Sequence, residues 1–238
     1  MDNNTQKLTS TLADPTRFAI YRFIASRGQA VTVQEVAEHF SIHPNVSRLH
    51  LGKLEDVNLL QSTSDKSGKG GRPSRLYSLS DQVVSLQFPP RDYQMLANIA
   101  IESLMSLGDV GEQAMISIGR RMGTEAAKQA LLADSLDPRS MSFEQALDHI
   151  HRLILAQGLN PEIHVRGEDQ ICFRIHNCTF LDSAKRFPTL VCKMHNSMLT
   201  GIFEVYFGEI ELQEEDSFIS GCRSCNYTLV RIQKPFGR

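Results

Sequence analysis

The 238 residues are 41% hydrophobic and carry a formal net charge of −2, a composition that permits a packed core. No apolar run approaches the ~18 residues of a membrane span. The opening Met1-Asp-Asn-Asn-Thr5 has neither the charged nor the apolar stretch of a secretory signal, so the expectation is a cytoplasmic protein with no membrane partner. Charge is divided unevenly. Residues 1–80 hold ten Lys and Arg against seven Asp and Glu, and the remainder fifteen against twenty, which suits an anion-binding head on an acidic body. All five cysteines lie beyond residue 170. Their odd number and the lack of an export signal argue against a disulfide framework.

The first predicted helix opens at Asp14-Pro15, with Asp14 as cap and Pro15 in the first turn. Phe18, Ile20, Tyr21, Phe23 and Ile24 give it apolar content, and Gly28 ends it. Thr32-Val-Gln-Glu35 has the form of a capping box, after which Val33, Val36, Ala37 and Phe40 recur on one face. A turn at Ser41-Ile42-His43 leads to a helix from Pro44 to about Asp56. Two short helices joined by a tight turn form a helix-turn-helix, whose second helix can enter the major groove of DNA. On that helix Asn45, Ser47, Arg48, His50 and Lys53 are expected outside, with Val46, Leu49 and Leu54 toward the core and Leu51 at the margin. Arg can pair with guanine in bidentate fashion and Asn with adenine.

An isolated polar helix face is more often merely solvated; the next segment decides. Leu59–Ser64 and Arg75–Leu79 can pair as strands around a Gly-rich loop. Lys66, Lys69, Arg72 and Arg75 place four positive and no negative charges in residues 66–75, a composition suited to phosphate or minor-groove contact. Helix-turn-helix plus basic hairpin is the winged-helix arrangement.

Asp81–Pro90 reads as a linker, stiffened by Pro89-Pro90. Helices are expected from Arg91 to Leu107 and from Val110 through Ala133, the latter with Gly119 and Gly123 on one side, where they permit close helix contact. Asp137-Pro138 interrupts the chain, and Ser142-Phe-Glu-Gln145, a second capping-box form, starts a helix through Ala156. These helices suit a dimer interface or packing around a sensor. No charged cluster here has the look of catalysis, and the chain is not expected to be an enzyme.

Glu162–Val165 and Gln170–His176 read as a hairpin, with Ile171, Phe173 and Ile175 on one face and Cys172, Arg174 and His176 on the other. Cys178 follows the strand end. A helix introduced by Pro188-Thr189 holds Cys192 and His195 on one face and ends at Gly208. Strands follow near Ile210–Glu214 and Tyr227–Ile232, with Cys222-Arg-Ser-Cys225 opening the last. Cys178, Cys192, Cys222 and Cys225 are the candidate metal ligands, because thiolates suit zinc, copper(I) and iron–sulfur clusters. Structural zinc more often uses two paired knuckles, whereas ligands that come singly suit the several corners of a cluster. Donor chemistry alone leaves zinc, a cluster and a metal-free dithiol switch open. Cys172 reads as a spare thiol, His195 as a substitute ligand and His176 as a strand-surface histidine, while Arg223 and Ser224 are placed to hydrogen-bond cluster sulfurs. A thiol oxidoreductase is disfavoured, since no thioredoxin-like βαβ unit surrounds the Cys-x-x-Cys pair.

Leu12-Ala-Asp-Pro-Thr-Arg-Phe-Ala-Ile-Tyr-Arg-Phe-Ile24 resembles the opening helix of ArsR-type winged-helix repressors, and Gly70-Gly-Arg-Pro-Ser-Arg-Leu-Tyr77 resembles their wing. His176-Asn-Cys-Thr-Phe180, Pro188-Thr-Leu-Val-Cys-Lys-Met-His195 and Cys222-Arg-Ser-Cys-Asn-Tyr227 resemble the cysteine segments of the SufR-like branch. The resemblance implies a homodimeric repressor of cluster-assembly genes on an inverted-repeat operator. It also implies an iron–sulfur cluster, [4Fe–4S] in preference to [2Fe–2S]. The alternative is a winged-helix regulator with structural zinc that senses a small molecule or redox state. The expected fold is α+β: a winged helix-turn-helix at 1–88, a helical linker and dimerisation region at 89–140, and a cysteine-ligated sensor with an antiparallel sheet at 141–238.

Overall fold

The computed structural model describes residues 3–27, 29–65, 74–87, 89, 91–166, 170–222 and 224–232. Gly28, the wing-tip cations Lys66, Lys69 and Arg72, the turn at 167–169 and Arg223 lie outside them. The chain divides into two compact units, Met1–Arg91 and Asp92–Arg238.

The first unit opens with α1 (Asn3–Leu12), a polar helix that sequence periodicity does not announce. In α2 (Pro15–Arg27) the Asp14 cap forms as expected, its Oδ1 accepting the Arg17 amide at 2.9 Å. Arg17 itself is buried, and its Nε donates to the Thr11 carbonyl at 2.6 Å, tying α1 to α2. The two-residue strand β1 (Val31–Thr32) runs into the capping box of α3 (Val33–His39), where Glu35 N donates to Thr32 Oγ1 at 3.1 Å and Thr32 N donates to Glu35 Oε2 at 2.7 Å. Ser41 turns the chain with φ of 53°, and α4 (Pro44–Glu55) starts where His43 Nδ1 accepts the Asn45 amide. The hairpin β2 (Leu60–Asp65) and β3 (Ser74–Leu79) completes an antiparallel sheet of order β1-β3-β2. Ile20, Ile24, Val36, Leu51, Leu54 and Tyr77 form the core.

The second unit comprises α5 (Tyr93–Ser106), α6 (Asp109–Ala133), α7 (Phe143–Ala156), β4 (Pro161–Arg166), β5 (Gln170–Ile175), α8 (Leu181–Arg186), α9 (Pro188–Phe207), β6 (Ile210–Asp216) and β7 (Cys225–Arg231). Its sheet has the order β4-β5-β7-β6, all antiparallel. Ile171, Phe173 and Ile175 point inward, as their alternation predicts, onto Ile150 and Ile154 of α7 and Leu199, Ile202 and Phe203 of α9. Buried His149 joins three helical segments, with Nδ1 2.6 Å from the Tyr206 hydroxyl and Nε2 3.2 Å from Asp134 Oδ2.

Helices α5 and α6 belong to the same compact unit as the sheet. The cause is the contact between α6 and α9. A Cβ on Gly119 would lie 2.6 Å from the Met194 carbonyl oxygen, one on Gly123 1.9 Å from that of Met198, and one on Gly201 2.1 Å from that of Arg120. Three side chains of zero volume let the two backbones touch, and Arg120 pairs with Glu204 across the seam. Among the described residues no helix is long and apolar enough to cross a membrane.

Candidate nucleic-acid interface and thiol centre

The face of α4 is set by the i, i+4, i+7 row Ser47, Leu51 and Leu54, all of them fully buried. Ser47 tolerates this because its hydroxyl donates to the Val33 carbonyl at 3.0 Å, fastening α4 to α3. The opposite side presents Asn45, Arg48 and Lys53 to solvent, together with Val46 and Leu49 at 41% and 57% exposure. Arg48 Nη1 donates to Asn45 Oδ1 at 2.8 Å, so the two groups stand side by side. This surface combines hydrogen-bonding groups for purine edges with two apolar groups that match thymine methyls. On β3, Arg75 stays largely exposed and pairs with Glu55 at 3.5 Å.

In the second unit, Cys225 opens β7 directly opposite Ile175, the last residue of β5. Cys178 lies three residues past Ile175, and Cys192 occupies the first half of α9. All five cysteines are free thiols. Burial, followed by the charges of Cys225, Cys192 and Glu214, pushes the Cys178 thiol up to about 11. Burial pushes Cys192 up to about 11 as well, with Glu214 and Cys225 adding to it. Cys225 is raised by burial, Glu214 and Cys222. These groups therefore share one electrostatic neighbourhood. Cys222 accepts from the Ser220 hydroxyl at 3.7 Å. His195 is buried beside Phe180, and its Nε2 has no hydrogen-bond partner among the described residues. Burial alone lowers its pKa to about 4, which keeps the ring neutral. Among the described residues no group of three or more His, Cys, Asp or Glu side chains is arranged to hold a metal ion.

Residues 12–63 match a helix-turn-helix domain, a span covering α2, α3, α4 and the start of β2. The chain carries a helix-turn-helix domain. No curated protein matches it in sequence. Among solved structures it is similar to the phenol-responsive sensory domain of the transcription activator PoxR with phenol, at 18% identity and a TM-score of 0.45, over 77% of this chain and 89% of that one. It is also similar to a trafficking protein particle complex subunit 3 from Naegleria fowleri covalently bound to palmitic acid, at 11% identity and a TM-score of 0.43, over 59% of this chain and 97% of that one.

Within the helix-turn-helix domain, the expected facing of α4 needs correction. Ser47 is a buried fastener, not a base reader, and Leu51 is core. Val46 and Leu49, expected inside, are outside. Polarity suggested the wrong side because the buried hydroxyl finds a backbone partner. His50 is half-buried, with Nδ1 unpaired among the described residues. Burial lowers its pKa, and Arg17 and Lys53 lower it further against the opposing pull of Asp14, so it brings no positive charge toward phosphate at neutral pH.

In the thiol region, Cys178, Cys192 and Cys225 are brought into one neighbourhood, with Cys222 beside Cys225. Cys172 points to the other face of β5, its sulfur 3.9 Å from Thr228 Oγ1. His176, expected on the strand surface, lies one residue past the end of β5 and pairs with Glu162 at 3.0 Å. The Ser224 hydroxyl donates to Asn226 Oδ1 at 3.3 Å, so it is engaged away from the thiols. Sequence reasoning missed Glu214, which lies opposite Tyr227 in the β6–β7 ladder and accepts from Asn196 Nδ2 at 2.9 Å. By donor type the thiols and the Glu214 carboxylate suit a metal, although the described residues do not gather three of them about one point. Deprotonated together, they would repel one another unless a cation lay among them.

Proposed function

We propose that this chain is a DNA-binding transcription regulator, a dimeric repressor on an inverted-repeat operator, whose operator affinity follows the state of a thiolate metal centre in its second unit. The DNA half of the reading is carried by one observation: a helix-turn-helix domain exposes Asn45 and Arg48 together on its second helix. Lys66, Lys69, Arg72 and Arg75 of the wing would add phosphate contacts. The sensing half is supported by thiols from the segment after β5, the first half of α9 and the start of β7, each raised by burial and by its neighbours' charges.

Cys178, Cys192, Cys222 and Cys225 would hold the centre, and an iron–sulfur cluster there would supply sensitivity to oxygen and iron supply. The chain's own contribution is positional. Cys192 sits on the helix that α6 grips through Gly119 and Gly123, so fixing or freeing its sulfur acts on the helix pair at the heart of the unit. A second reading, a single zinc ion with structural weight, is favoured by Glu214, since carboxylates serve zinc well and cluster sites are built on thiolates.

Purification without oxygen, followed by iron, sulfide and zinc determination and an operator-binding titration, tests both readings. The first expects a brown protein whose visible absorption and operator affinity change together on oxidation, with the colour lost in Cys192→Ser. A colourless protein with stoichiometric zinc selects the second. A chain that binds neither metal, and grips its operator identically before and after thiol alkylation, removes the sensing half and leaves the DNA half standing.

A further inference from the structure

Val46 and Leu49 are apolar, yet both stand in water and neither belongs to the core of the first unit. At ~100° per residue, the buried row of Ser47, Leu51 and Leu54 fixes where they lie. Asn45 and Leu49 fall opposite that row, with Arg48 on one flank and Val46 on the other. The Ser47 hydroxyl, bonded to the Val33 carbonyl at 3.0 Å, holds α4 at this rotation. The outer face is therefore split lengthwise. One half is polar, where Arg48 donates to Asn45. The other is apolar, where Val46 and Leu49 are neighbours at a three-residue step.

We propose that Val46 and Leu49 are specificity-determining residues, which read the 5-methyl group of thymine in the operator half-site. This rests on the DNA reading under Proposed function and deepens it, because it names the base feature that the helix selects. A helix in the major groove meets phosphates, base-edge donors and acceptors, and one apolar group, the thymine methyl. Valine and leucine side chains can neither pair with a phosphate nor hydrogen-bond to a base edge, so the methyl is the one groove element that rewards their position. Single apolar residues scattered over a surface are ordinary. These two instead lie together, beside Asn45 and Arg48, on the outer face of the second helix of a helix-turn-helix domain. Leu49 is one turn beyond Asn45 on the same line of the helix, so an adenine taken by Asn45 has Leu49 facing the neighbouring base pairs. The half-site is therefore expected to hold a thymine whose methyl is required as well as its hydrogen-bonding pattern.

The test begins with the full chain selecting bound sequences from a pool of random DNA duplexes. A selected duplex is then resynthesised with each thymine in turn replaced by deoxyuridine, which removes the methyl and leaves the hydrogen-bonding edge unchanged. At the thymine that is read, the uracil duplex should bind about fourfold more weakly, the worth of burying one methyl-sized group. That loss should vanish in Leu49→Ala or in Val46→Ala and persist in Arg48→Ala. Leu49→Ala should also keep the wild-type dependence of affinity on salt, because no phosphate contact is removed. It should melt as wild type does, because Leu49 is outside the core. Uracil duplexes that bind as tightly as the thymine duplex at every position refute the methyl reading and leave DNA binding intact. A uracil loss that persists undiminished in both alanine variants refutes it too, since the methyl then has another partner. A chain that selects no duplex at all overturns the DNA reading and this inference with it.

Discussion

Gly123→Ala isolates what holds the second unit together. The new Cβ would sit 1.9 Å from the Met198 carbonyl oxygen, about 1.5 Å short of ordinary contact, and the obstacle is backbone, which cannot rotate away. Helices α6 and α9 must therefore part by more than 1 Å at a seam where Gly119 and Gly201 are almost as tight. Overpacking of this kind costs about 1–3 kcal/mol, and rigid backbone on both sides puts Gly123 at the upper end. Alanine's better helix propensity returns about 1 kcal/mol. The net loss is about 2 kcal/mol, which for a unit of this size lowers its melting temperature by roughly 4–8 °C. Scanning calorimetry of the full chain reads this directly. Gly52→Ala in α4 provides the contrast, since nothing lies within 4 Å of its added Cβ, and it should gain about 1 kcal/mol. If Gly123→Ala also raises the melting temperature, helix propensity alone governs the position and the contact argument fails.

Ser47→Ala and Arg48→Ala should separate stability from recognition on α4. The first removes a buried hydroxyl's bond to the Val33 carbonyl and should cost the N-terminal unit about 1 kcal/mol in a denaturant melt, with operator affinity retained. The second should leave the melt unchanged and cost roughly 1–3 kcal/mol on the specific operator; equal losses on unrelated DNA would reassign Arg48 to phosphate. The raised Cys178 and Cys192 thiols make a pH prediction for the metal-free chain. The folded state holds these protons more tightly than the unfolded one, so their contribution is full below the ordinary thiol pKa of about 9.0 and is lost as pH rises toward about 11. Melting temperature against pH should fall over that window, less steeply in the Cys178→Ser Cys192→Ser double variant, and matching slopes would count against the burial that raises these thiols.

Much of the fold could be read from the sequence where a local rule has one outcome. The Thr32 and Ser142 capping boxes, the Asp14 cap and the alternation of Ile171, Phe173 and Ile175 all form as their spacing predicts. The misses have a common character: each depends on a partner distant in sequence. Strand β1 is two residues long and exists only because β3 pairs with it. Helix α1 is polar, with Leu8 its one buried apolar side chain. Ser47 is invisible as a core residue until the Val33 carbonyl is placed beside it. Gly119 and Gly123 signalled a close contact, but the backbone they meet, at Met194 and Met198, lies some seventy-five residues away.

The thiol region was legible for a different reason. Cysteine is rare in this chain, so Cys178, Cys192 and the Cys222–Cys225 pair stand out, whereas β6 alone holds Glu211, Glu214 and Glu215 and only the fold shows that the Glu214 charge is felt by the thiols. That carboxylate sharpens the physical argument. Burial already disfavours ionised thiols at Cys178, Cys192 and Cys225, and an acidic side chain among them disfavours ionisation further. A thiol pocket meant for nucleophilic or redox chemistry needs the opposite surroundings, a nearby positive charge that lowers the pKa. Here the charges that act on the thiols are negative and the buried His195 imidazole is held neutral. Such an arrangement is poor at activating a thiol, and the metal centre proposed above would have to reverse this repulsion by attracting each negative group to the cation.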